Sequence, residues 1–388
     1  MKLKDICIIQ SGGTPSRSKK EYWENGTIPW VKISDFSAKH IINTQESITE
    51  QGMNCSSAKL FPKGTLLYTI FATIGEVGIL DIDATTNQAI VGIMIKNSMV
   101  DQEYLYYYLM SLKDYVNRIG RGVAQNNINM SILRELEIPL PPIEKQKKIS
   151  NIFIQLDKMI EQRQNQIDLI DELVKSRFIE LFGDPVSNPL KWDMKSLLKM
   201  GYCKNGMNFH TGDSGIEVHC LGVGDFKDYA IIDRTENLPM ISLKEMPSNE
   251  NMLQDGDIVF VRSNGNKALV GRCVIVYPHN ILTTYSGFCI RYRLTGDEVI
   301  GIYLLQVLKT DSMRKKMAGR GANIQNLNQQ ILASLNIPLP PIELQNQFAD
   351  FVAHVDKSKY YNFTSYKYCV VAANLIRQEW MLCQTLSF

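Results

Sequence analysis

The chain has 388 residues, of which 45% are apolar and 21% are charged, and its formal net charge is +2. This composition is typical of a globular protein with room for two domains that each bury a core, and it excludes a largely disordered chain. A nearly neutral charge does not by itself indicate a nucleic-acid partner, and no apolar run reaches the ~18 residues of a membrane helix.

The first residues, MKLKDICIIQSGG, contain too short an apolar stretch for a signal peptide, so we expect a cytoplasmic protein with no membrane partner. The eight cysteines are scattered and include no CxxC pair, which gives little support to a zinc site or a disulfide framework. We expect most of them to be reduced residues of the core.

Short apolar runs separated by glycines predict strands and hairpins in the first part of the chain, most clearly in GTLLYTIFATIGEVGIL at 64–80. A short helix is predicted over DQEYLYYYLMSLKDYVNRI at 101–119, followed by a loop rich in Gly and Asn. The next segment is PLPP at 139–142, whose prolines exclude a helix or a central strand. We therefore expect the chain to leave the first globule in an extended form.

A long helix is predicted after PLPP, from about Ile143 to Phe182, where GDPVSNP stops it. Apolar positions spaced alternately four and three apart form a heptad seam, and at ~1.5 Å per residue the helix is ~60 Å long. Its seven basic and seven acidic residues balance, which favours a spacer packed on another helix over a helix that grips phosphates. The seam consists of Ile149, Phe153, Leu156, Ile160, Arg163, Ile167, Ile170, Val174, Arg177 and Leu181.

The second part of the chain repeats the first at a constant offset of 199 residues, since IPLPPIE occurs at 138–144 and again at 337–343. A match without gaps indicates a duplicated architecture, so each half is expected to fold alike. Residues that match include Gly120 with Gly319, Asn129 with Asn328, Leu133 with Leu332, Gln146 with Gln345, Asp157 with Asp356 and Lys158 with Lys357.

The second half accordingly predicts strands in GDIVFVRSNGNKALVGRCVIV at 256–276 and a short helix in DEVIGIYLLQVLKTDSMRKKM at 297–317. After the second PLPP the likeness ends at Lys359, and the tail either continues as a helix or packs poorly; we expect a helix. The transferred seam is Phe348, Val352, Val355, Lys359, Asn362, Tyr366, Cys369, Ala373, Ile376 and Trp380.

The motifs of catalysis are missing from the sequence. LPPI has neither the polar residue nor the aromatic residue of the [ND]PP[YF] loop of an amino methyltransferase. LGVGDFK at 221–227 has Lys227 where a third glycine belongs, and the chain contains no GK[ST], HxxxH or GxSxG pattern. We therefore predict a protein without an active site, cofactor or metal.

Basic and amide side chains cluster in several loops, such as SGGTPSRSKKEYW, the SNGN segment and the loops before both PLPP motifs. Arginine suits phosphate and guanine, and Asn or Gln suits the edge of adenine, so these loops have the side chains needed to read a DNA groove. Alternatively the charges form a solvated face, and the Asn side chains cap turns and helices.

Over about residues 1–359 the chain resembles the specificity subunits of type I restriction–modification systems. In the first half the resemblance rests on LKDICIIQSGGTPSRSKKEYWENGTIPWVKISDF, LFPKGTLLYTIFATIGEVGI, TTNQAIVG and IPLPPIEKQKKIS. In the second half it rests on KNGMNFHTG, LGVGDF, GDIVFVRSNGNKALVGRC and IPLPPIELQNQF.

The resemblance implies a mixed α/β (α+β) fold with two globular target recognition domains in tandem, separated by long antiparallel coiled-coil spacer helices. The expected boundaries are 1–142 for the first domain, 143–183 for the central spacer helix, 184–341 for the second domain and 342–388 for the distal spacer helix with its divergent tail. The implied partners are double-stranded DNA, two modification (methyltransferase) subunits and restriction subunits.

The family offers no catalytic residue to transfer, and its base-contacting residues differ between members. We predict DNA contacts from the polar, basic and aromatic side chains of the loops named above: Thr14, Arg17, Lys19, Lys20, Tyr22, Trp30, Lys32, Arg121, Gln125, Asn126, Asn127, Lys204, Asn205, Arg262, Ser263, Asn264, Asn266, Lys267, Arg272, Arg320, Asn323, Gln325 and Asn326. Two other hypotheses are a methyltransferase fused to its own reader, which the missing motifs disfavour, and a two-lobed scaffold that binds only proteins.

Overall fold

The structure, a computed structural model, describes residues 1–120, 128–209, 215–226, 230–318 and 326–385. The chain divides into two compact units, one made of Met1–Gln164 with Thr364–Phe388 and the other of Asn165–Phe363. Each unit combines helices with β-sheets, which confirms a mixed α/β fold.

The strands are β1 Cys7–Ser11, β2 Ile28–Val31, β3 His40–Ile41, β4 Glu46–Ile48, β5 Leu66–Thr69, β6 Val77–Leu80, β7 Thr85–Thr86, β8 Ile90–Ile95, β9 Asp193–Ser196, β10 Gly201–Asn205, β11 Ile216–Leu221, β12 Ile231–Ile232, β13 Met240–Leu243, β14 Asp257–Val261, β15 Cys273–Val276, β16 Thr283–Tyr285, β17 Cys289–Leu294 and β18 Asn336–Leu339. The helices are α1 Leu3–Ile6, α2 Glu50–Asn54, α3 Gln102–Ser111, α4 Lys113–Gly120, α5 Met130–Glu135, α6 Ile143–Phe182, α7 Gly301–Lys309, α8 Asp311–Ala318, α9 Gln329–Ala333 and α10 Ile342–Thr385.

A five-stranded sheet forms the core of each unit, with the order β1-β8-β5-β6-β3 in the first and β10-β17-β14-β15-β12 in the second. The predicted hairpins are β5–β6 and β14–β15, which pair antiparallel with Leu66 opposite Ile79 and Ile258 opposite Ile275. A three-stranded sheet accompanies each, in the orders β4-β2-β7 and β13-β11-β16. The duplicated architecture predicted from the 199-residue offset is therefore confirmed.

The short helix predicted in each half is two helices, α3 with α4 and α7 with α8. In the second unit Thr310 separates them with an extended backbone (φ −61°, ψ 147°), and its Oγ1 accepts a hydrogen bond from Met313 N at 3.4 Å. A threonine that caps the following turn in this way ends one helix and begins another. The periodic pattern alone did not reveal this break.

A buried glutamine explains why the sequence after PLPP is repeated. Gln146 Oε1 accepts a hydrogen bond from Asp101 N at 2.9 Å, while its Nε2 donates to the carbonyls of Met99 and Pro141, both at 2.8 Å. The side chain is 1% exposed. It therefore ties the proline segment to the start of α3, and we call Gln146 and its counterpart Gln345 the glutamine clamps.

Gln345 makes the same three hydrogen bonds 199 residues later. Its Oε1 accepts from Ile300 N at 2.9 Å, and its Nε2 donates to the carbonyls of Glu298 at 3.1 Å and Pro340 at 2.9 Å. A tyrosine hydroxyl supports each joint, since Tyr104 donates to Pro139 O at 2.7 Å and Tyr303 donates to Pro338 O at 2.9 Å. The exit into each long helix is thus built by one repeated set of contacts.

The two exits differ in one respect. In the second unit the proline segment forms part of β18, which pairs with β9 so that Pro338 lies opposite Met194. This sheet has only two strands, and a proline is tolerated there because both are edge strands. In the first unit residues 138–142 belong to neither a helix nor a strand, in keeping with the prediction that the prolines exclude a helix or a central strand.

The long helix α6 runs from Ile143 to Phe182, as predicted. All ten residues of its predicted seam are buried or half-buried, while Ile152, Leu169 and Leu173 off the seam are at least 51% exposed. The seam thus lies within the covered face of this helix, but that face is wider than the seam, because Gln146, Ser150, Phe178 and Phe182 are also buried.

The tail is also helical, since α10 extends from Ile342 to Thr385. Within the second unit it packs against α6: the ring of Phe348 lies 5.5 Å from Phe178 and 5.6 Å from Phe182, and Lys359 pairs with Asp171 at 2.5 Å. Residue numbers thus rise along one helix as they fall along the other, which means that these two segments are antiparallel. The transferred seam is covered as far as Ala373, but Ile376 is 40% exposed.

Candidate nucleic-acid interface

Polar side chains from three elements meet at one end of the second sheet. Asn205 ends β10, Arg262 follows β14, and Asn328, Gln329 and Gln330 begin α9. Together they line a cleft of about 360 Å³. We call this surface the amide cleft, because four of its five side chains are amides.

Backbone hydrogen bonds hold the amide cleft in place. Arg262 N donates to Phe288 O at 2.7 Å, and Leu327 N donates to Arg262 O at 2.7 Å, so the loop after β14 joins both of its neighbours. Asn328 caps α9 by accepting from Ile331 N at 2.9 Å. Arg262 Nη1 also donates to Gly287 O at 3.3 Å, which orients the guanidinium.

The amide cleft has the chemistry of base recognition. An arginine is suited to the O6 and N7 atoms of guanine, and asparagine or glutamine to the N6 and N7 atoms of adenine. Phe288 accepts a backbone hydrogen bond from Arg262 N, and its own side chain is 62% exposed. Such a side chain is suited to a thymine methyl group or to a wedge between base steps.

Other predicted residues of the second unit lie beside the cleft in different roles. Asn264 and Asn266 accept from the backbone N of Asn266 and Ala268 at 2.8 and 3.1 Å, so these amides cap turns, as the alternative interpretation had it. Lys204 pairs with Glu250 at 2.6 Å, and this contact lowers the pKa of the Glu250 carboxyl. Lys267 is exposed on the next turn.

Three further residues of the prediction are placed by the backbone. Ser263 forms a β-bridge with Asn326, which brings the loop before α9 to the SNGN turn. Arg272 immediately precedes β15, the return strand of the hairpin, and its carbonyl accepts a hydrogen bond from Val261 N at 2.8 Å. Arg121, Gln125, Asn126, Asn127, Arg320, Asn323 and Gln325 lie outside the described residues, as does Lys227.

In the first unit an arginine stacks on two tryptophans. The guanidinium carbon of Arg17 lies 3.6 Å from the ring centroid of Trp23 and 4.8 Å from that of Trp30. Arg17 Nη1 also pairs with Glu46 at 2.5 Å, and Lys32 Nζ pairs with the other oxygen of the same carboxylate at 2.7 Å. We call Arg17, Lys32 and Glu46 the bridged cluster.

The aromatic residues predicted as DNA contacts in this unit are buried. Trp30 is 3% exposed and donates from Nε1 to Gly13 O at 3.1 Å, while Tyr22 is 5% exposed and accepts from Lys19 Nζ at 3.0 Å. Their position suits them to hold the loop, and a direct contact with DNA stays a prediction. Thr14 hydrogen-bonds to Gln88, and Lys20 pairs with Glu24 at 3.9 Å on the surface.

Sequence reasoning missed Gln329, Gln330, Glu46 and Phe288. The two glutamines follow a predicted amide-rich loop by only a few residues, so the loop composition could have indicated them. Glu46 has no local signal in the sequence, because it is an anion whose two partners, Arg17 and Lys32, are distant from it along the chain. The exposure of Phe288 has no signal in the sequence, since a phenylalanine is ordinarily taken for core.

The structure and the candidate interface together indicate a duplicated protein whose two units present polar surfaces for binding. It carries the same sheet unit twice, each with a polar loop surface, and among the described residues no group of three or more His, Cys, Asp or Glu could hold a metal ion. More particularly, the chain belongs to the family described as type I restriction modification DNA specificity domain, whose sequence model matches residues 1–170 and 226–361.

Relatives support this assignment and the resemblance predicted from the sequence. The MjaIX specificity subunit of Methanocaldococcus jannaschii is 33% identical over 227 residues, which are 53% of this chain and 52% of the relative. The MjaVIII specificity subunit of the same organism is 23% identical over 304 residues, 73% of this chain and 68% of the relative. The chain spans about half the length of the first curated relatives it matches.

Two solved structures share the fold. A chain from a structure describing complex assembly and conformational transition of the type I R-M system has a TM-score of 0.58 at 17% identity, over 98% of this chain and 96% of that one. The S subunit from M. genitalium has a TM-score of 0.52 at 15% identity, and the match covers 97% of this chain and 94% of that one. None of the helices that the structure describes is both long and apolar enough to span a membrane.

Proposed function

We propose that this protein is the DNA sequence-recognition subunit of a type I restriction–modification complex. Each of its two units reads one half of a split DNA target. The chain itself performs no chemistry, needs no cofactor, and docks two modification subunits and the restriction subunits.

The observation that carries this proposal is one architecture built twice with different surfaces. The sheets and the glutamine clamps match. The loop surfaces do not, because the second unit offers the amide cleft and the first offers the bridged cluster. Two like scaffolds with unlike surfaces are what a reader of two different half-sites requires, since sequence is read by side chains in the grooves.

The long helices α6 and α10 fit the role of a spacer. Each leaves its sheet through a glutamine clamp, and at ~1.5 Å per residue each is about 60 Å long. We propose that they pair as an antiparallel coiled coil between recognition domains 1–142 and 184–341. The length of that coiled coil would set the number of base pairs between the half-sites.

The proposal is tested by co-expressing the chain with the modification subunit in a host that lacks both, and by mapping methylated adenines across the genome. We expect one bipartite motif with a constant gap, present only when both proteins are made. The purified chain alone is expected neither to methylate nor to cleave DNA. Methylation that does not depend on this chain, or methyl transfer by the repurified chain alone, would overturn the proposal.

A further inference from the structure

In the bridged cluster a single carboxylate binds two cations through different oxygens. Glu46 Oε2 contacts Arg17 Nη1 at 2.5 Å and Glu46 Oε1 contacts Lys32 Nζ at 2.7 Å. The guanidinium carbon of Arg17 lies over the ring of Trp23, while its Nη1 contacts the carboxylate. Lys32, whose side chain is 26% exposed, is the more enclosed of the two cations.

Among its described residues, the second unit lacks the counterparts of two members of this cluster, Lys32 and Glu46, and still forms the same sheet. In the first unit β2 pairs with β7, and Trp30 lies opposite Thr85. In the second unit β11 pairs with β16 in the same way, and Cys220 lies opposite Thr284, so Cys220 is the counterpart of Trp30. Cys220 N donates to Pro239 O, so a proline stands where β4 has Glu46. Gly222 replaces Lys32, since Asp35 and Asp225 accept from these two backbone N atoms at the same 2.8 Å.

The bridged cluster is attached to the segment that corresponds to the rim of the amide cleft. Trp30 Nε1 donates to Gly13 O, and Gly12 and Gly13 directly follow β1. At the end of β1, Ser11 lies opposite Val91; at the end of β10, Asn205 lies opposite Ile290. Ser11 is therefore the counterpart of Asn205, which lines the amide cleft. The cluster therefore adjoins the first unit's counterpart of the amide cleft, the surface that reads DNA in our proposal.

A carboxylate bridged by two cations has the charge and the paired oxygens of a backbone phosphate. The hydrogen bonds from Lys32 and then Arg17 hold the pKa of Glu46 below its ordinary value, so the carboxylate is ionised at neutral pH. The side chains of Arg17 and Lys32 are 53% and 26% exposed, so both cations are within reach of solvent and of an anion that arrives from it.

We propose that Glu46 is an internal counterion that occupies the position of a DNA phosphate between Arg17 and Lys32. It makes every DNA duplex compete with the protein's own carboxylate, which weakens binding to random sequence. A correct half-site compensates for this competition through base contacts, whereas random sequence offers none, so Glu46 limits the time that the protein spends bound to non-specific DNA. This inference rests on the proposed function, because it requires the first unit to bind DNA.

The experiment compares Glu46→Gln with Glu135→Gln in the full chain. Glu135 bridges Lys2 and Lys4 at 2.6 and 2.5 Å, so its substitution also releases two cations and changes the net charge equally. Binding to a random-sequence duplex is measured by fluorescence anisotropy over a series of salt concentrations. We expect Glu46→Gln to bind about fivefold more tightly and to steepen the slope of log K against log salt by about one to two. Glu135→Gln is expected to match the wild type.

Several outcomes would overturn the inference. Equal effects of the two substitutions would mean that only net charge matters, and weaker binding by Glu46→Gln would make Glu46 a residue that positions Arg17. A third variant, Arg17→Ala/Lys32→Ala, is measured with and without Glu46→Gln; an undiminished effect of Glu46→Gln in that background would also refute the mechanism. If no variant binds DNA at all, the proposed function itself fails.

Discussion

Arg262 is the residue that joins the amide cleft to the rest of the second unit. Its backbone bonds to the strand turn at Phe288 and to Leu327 before α9, and its guanidinium is oriented by Gly287 O. An arginine held in this way loses little side-chain freedom on binding, which favours a directed contact over a diffuse one.

We predict that Arg262→Ala weakens binding to the correct target by ~1–3 kcal/mol and relaxes specificity at one position if the guanidinium contacts a base. A phosphate contact would instead weaken all duplexes alike and reduce the salt slope by ~0.9. Titration of specific and random duplexes distinguishes the two. Lys195→Ala removes a cation paired with Glu298 outside the cleft and serves as the control. If Arg262→Ala changes neither the binding affinity nor the salt slope, this residue does not contact DNA.

Asp356 on α10 is the second residue whose surroundings lead to a prediction. Burial raises the pKa of its carboxyl. The positive charge of Lys359 lowers this pKa in part, and the negative charge of Asp171 raises it further. A folded pKa above the unfolded value means that this group stabilises the protein at low pH, and that the contribution is lost as pH rises through the folded pKa.

Asp356→Asn is therefore expected to raise the free energy of unfolding at neutral pH, by under about 1 kcal/mol. The gain should disappear below pH ~4, where the wild-type carboxyl is protonated in both states. Urea unfolding at several pH values measures it. Asp350→Asn, at an exposed position of the same helix, controls for the substitution. A gain that is the same at every pH would show that ionisation of Asp356 is not its cause.

Among the elements, the joints between sheet and long helix are the most strictly repeated. Each glutamine clamp is a fully buried side chain whose amide bonds to one backbone N–H and two backbone carbonyls. Leaving such groups unpaired costs more than the hydrogen bonds themselves contribute when made.

Gln345→Leu is predicted to destabilise the chain by ~3 kcal/mol or more, because the leucine fills the space and satisfies none of the three groups. Chemical denaturation of the full chain gives the value. Gln347→Leu makes the same change at an exposed position of the same helix and should stay within ~0.5 kcal/mol of the wild type. A cost below ~1 kcal/mol at Gln345 would mean that water or a neighbour replaces the amide.

The spacer helix α6 leads to a geometric prediction. Four residues inserted near Asp168 lengthen it by ~6 Å and by slightly more than one turn. Because B-DNA rises ~3.4 Å per base pair, the gap in the methylated motif should widen by one or two base pairs while both half-sites stay unchanged. Genome-wide mapping of methylated adenines provides the measurement. An altered half-site with an unaltered gap would contradict the role of α6 as a spacer.

At the scale of the whole molecule, the two units are expected to act separately. Replacing residues 1–137 with the corresponding part of another family member should change one half of the methylated motif and leave the other half unchanged. The same mapping of methylated adenines shows the result. If both halves change together, recognition is shared between the units and the two-reader proposal fails.

The sequence predicts the large features of this molecule because they depend on periodicity and repetition. The heptad spacing predicts residues of α6 that are all at least half-buried, and the constant offset reveals the duplication. The candidate site is predicted less completely. Arg17 and Lys32 are visible as cations, but their shared partner Glu46 is brought to them by the pairing of β2 with β4, which no local pattern encodes. The burial of Trp30 and the exposure of Phe288 likewise depend on tertiary packing.

Because the two copies of IPLPPIE are identical and the two glutamine clamps make the same contacts, one half of the coding sequence could be removed at these sites. An in-frame exchange between the two copies of IPLPPIE would delete 199 of the 388 residues and leave a chain of 189. The product would carry the first sheet followed directly by α10, and Gln345 would inherit the partners of Gln146, because the residues around the two clamps correspond one to one. Recombination at this point could therefore remove or add one complete sheet unit, and the existing clamp contacts would serve at the new junction.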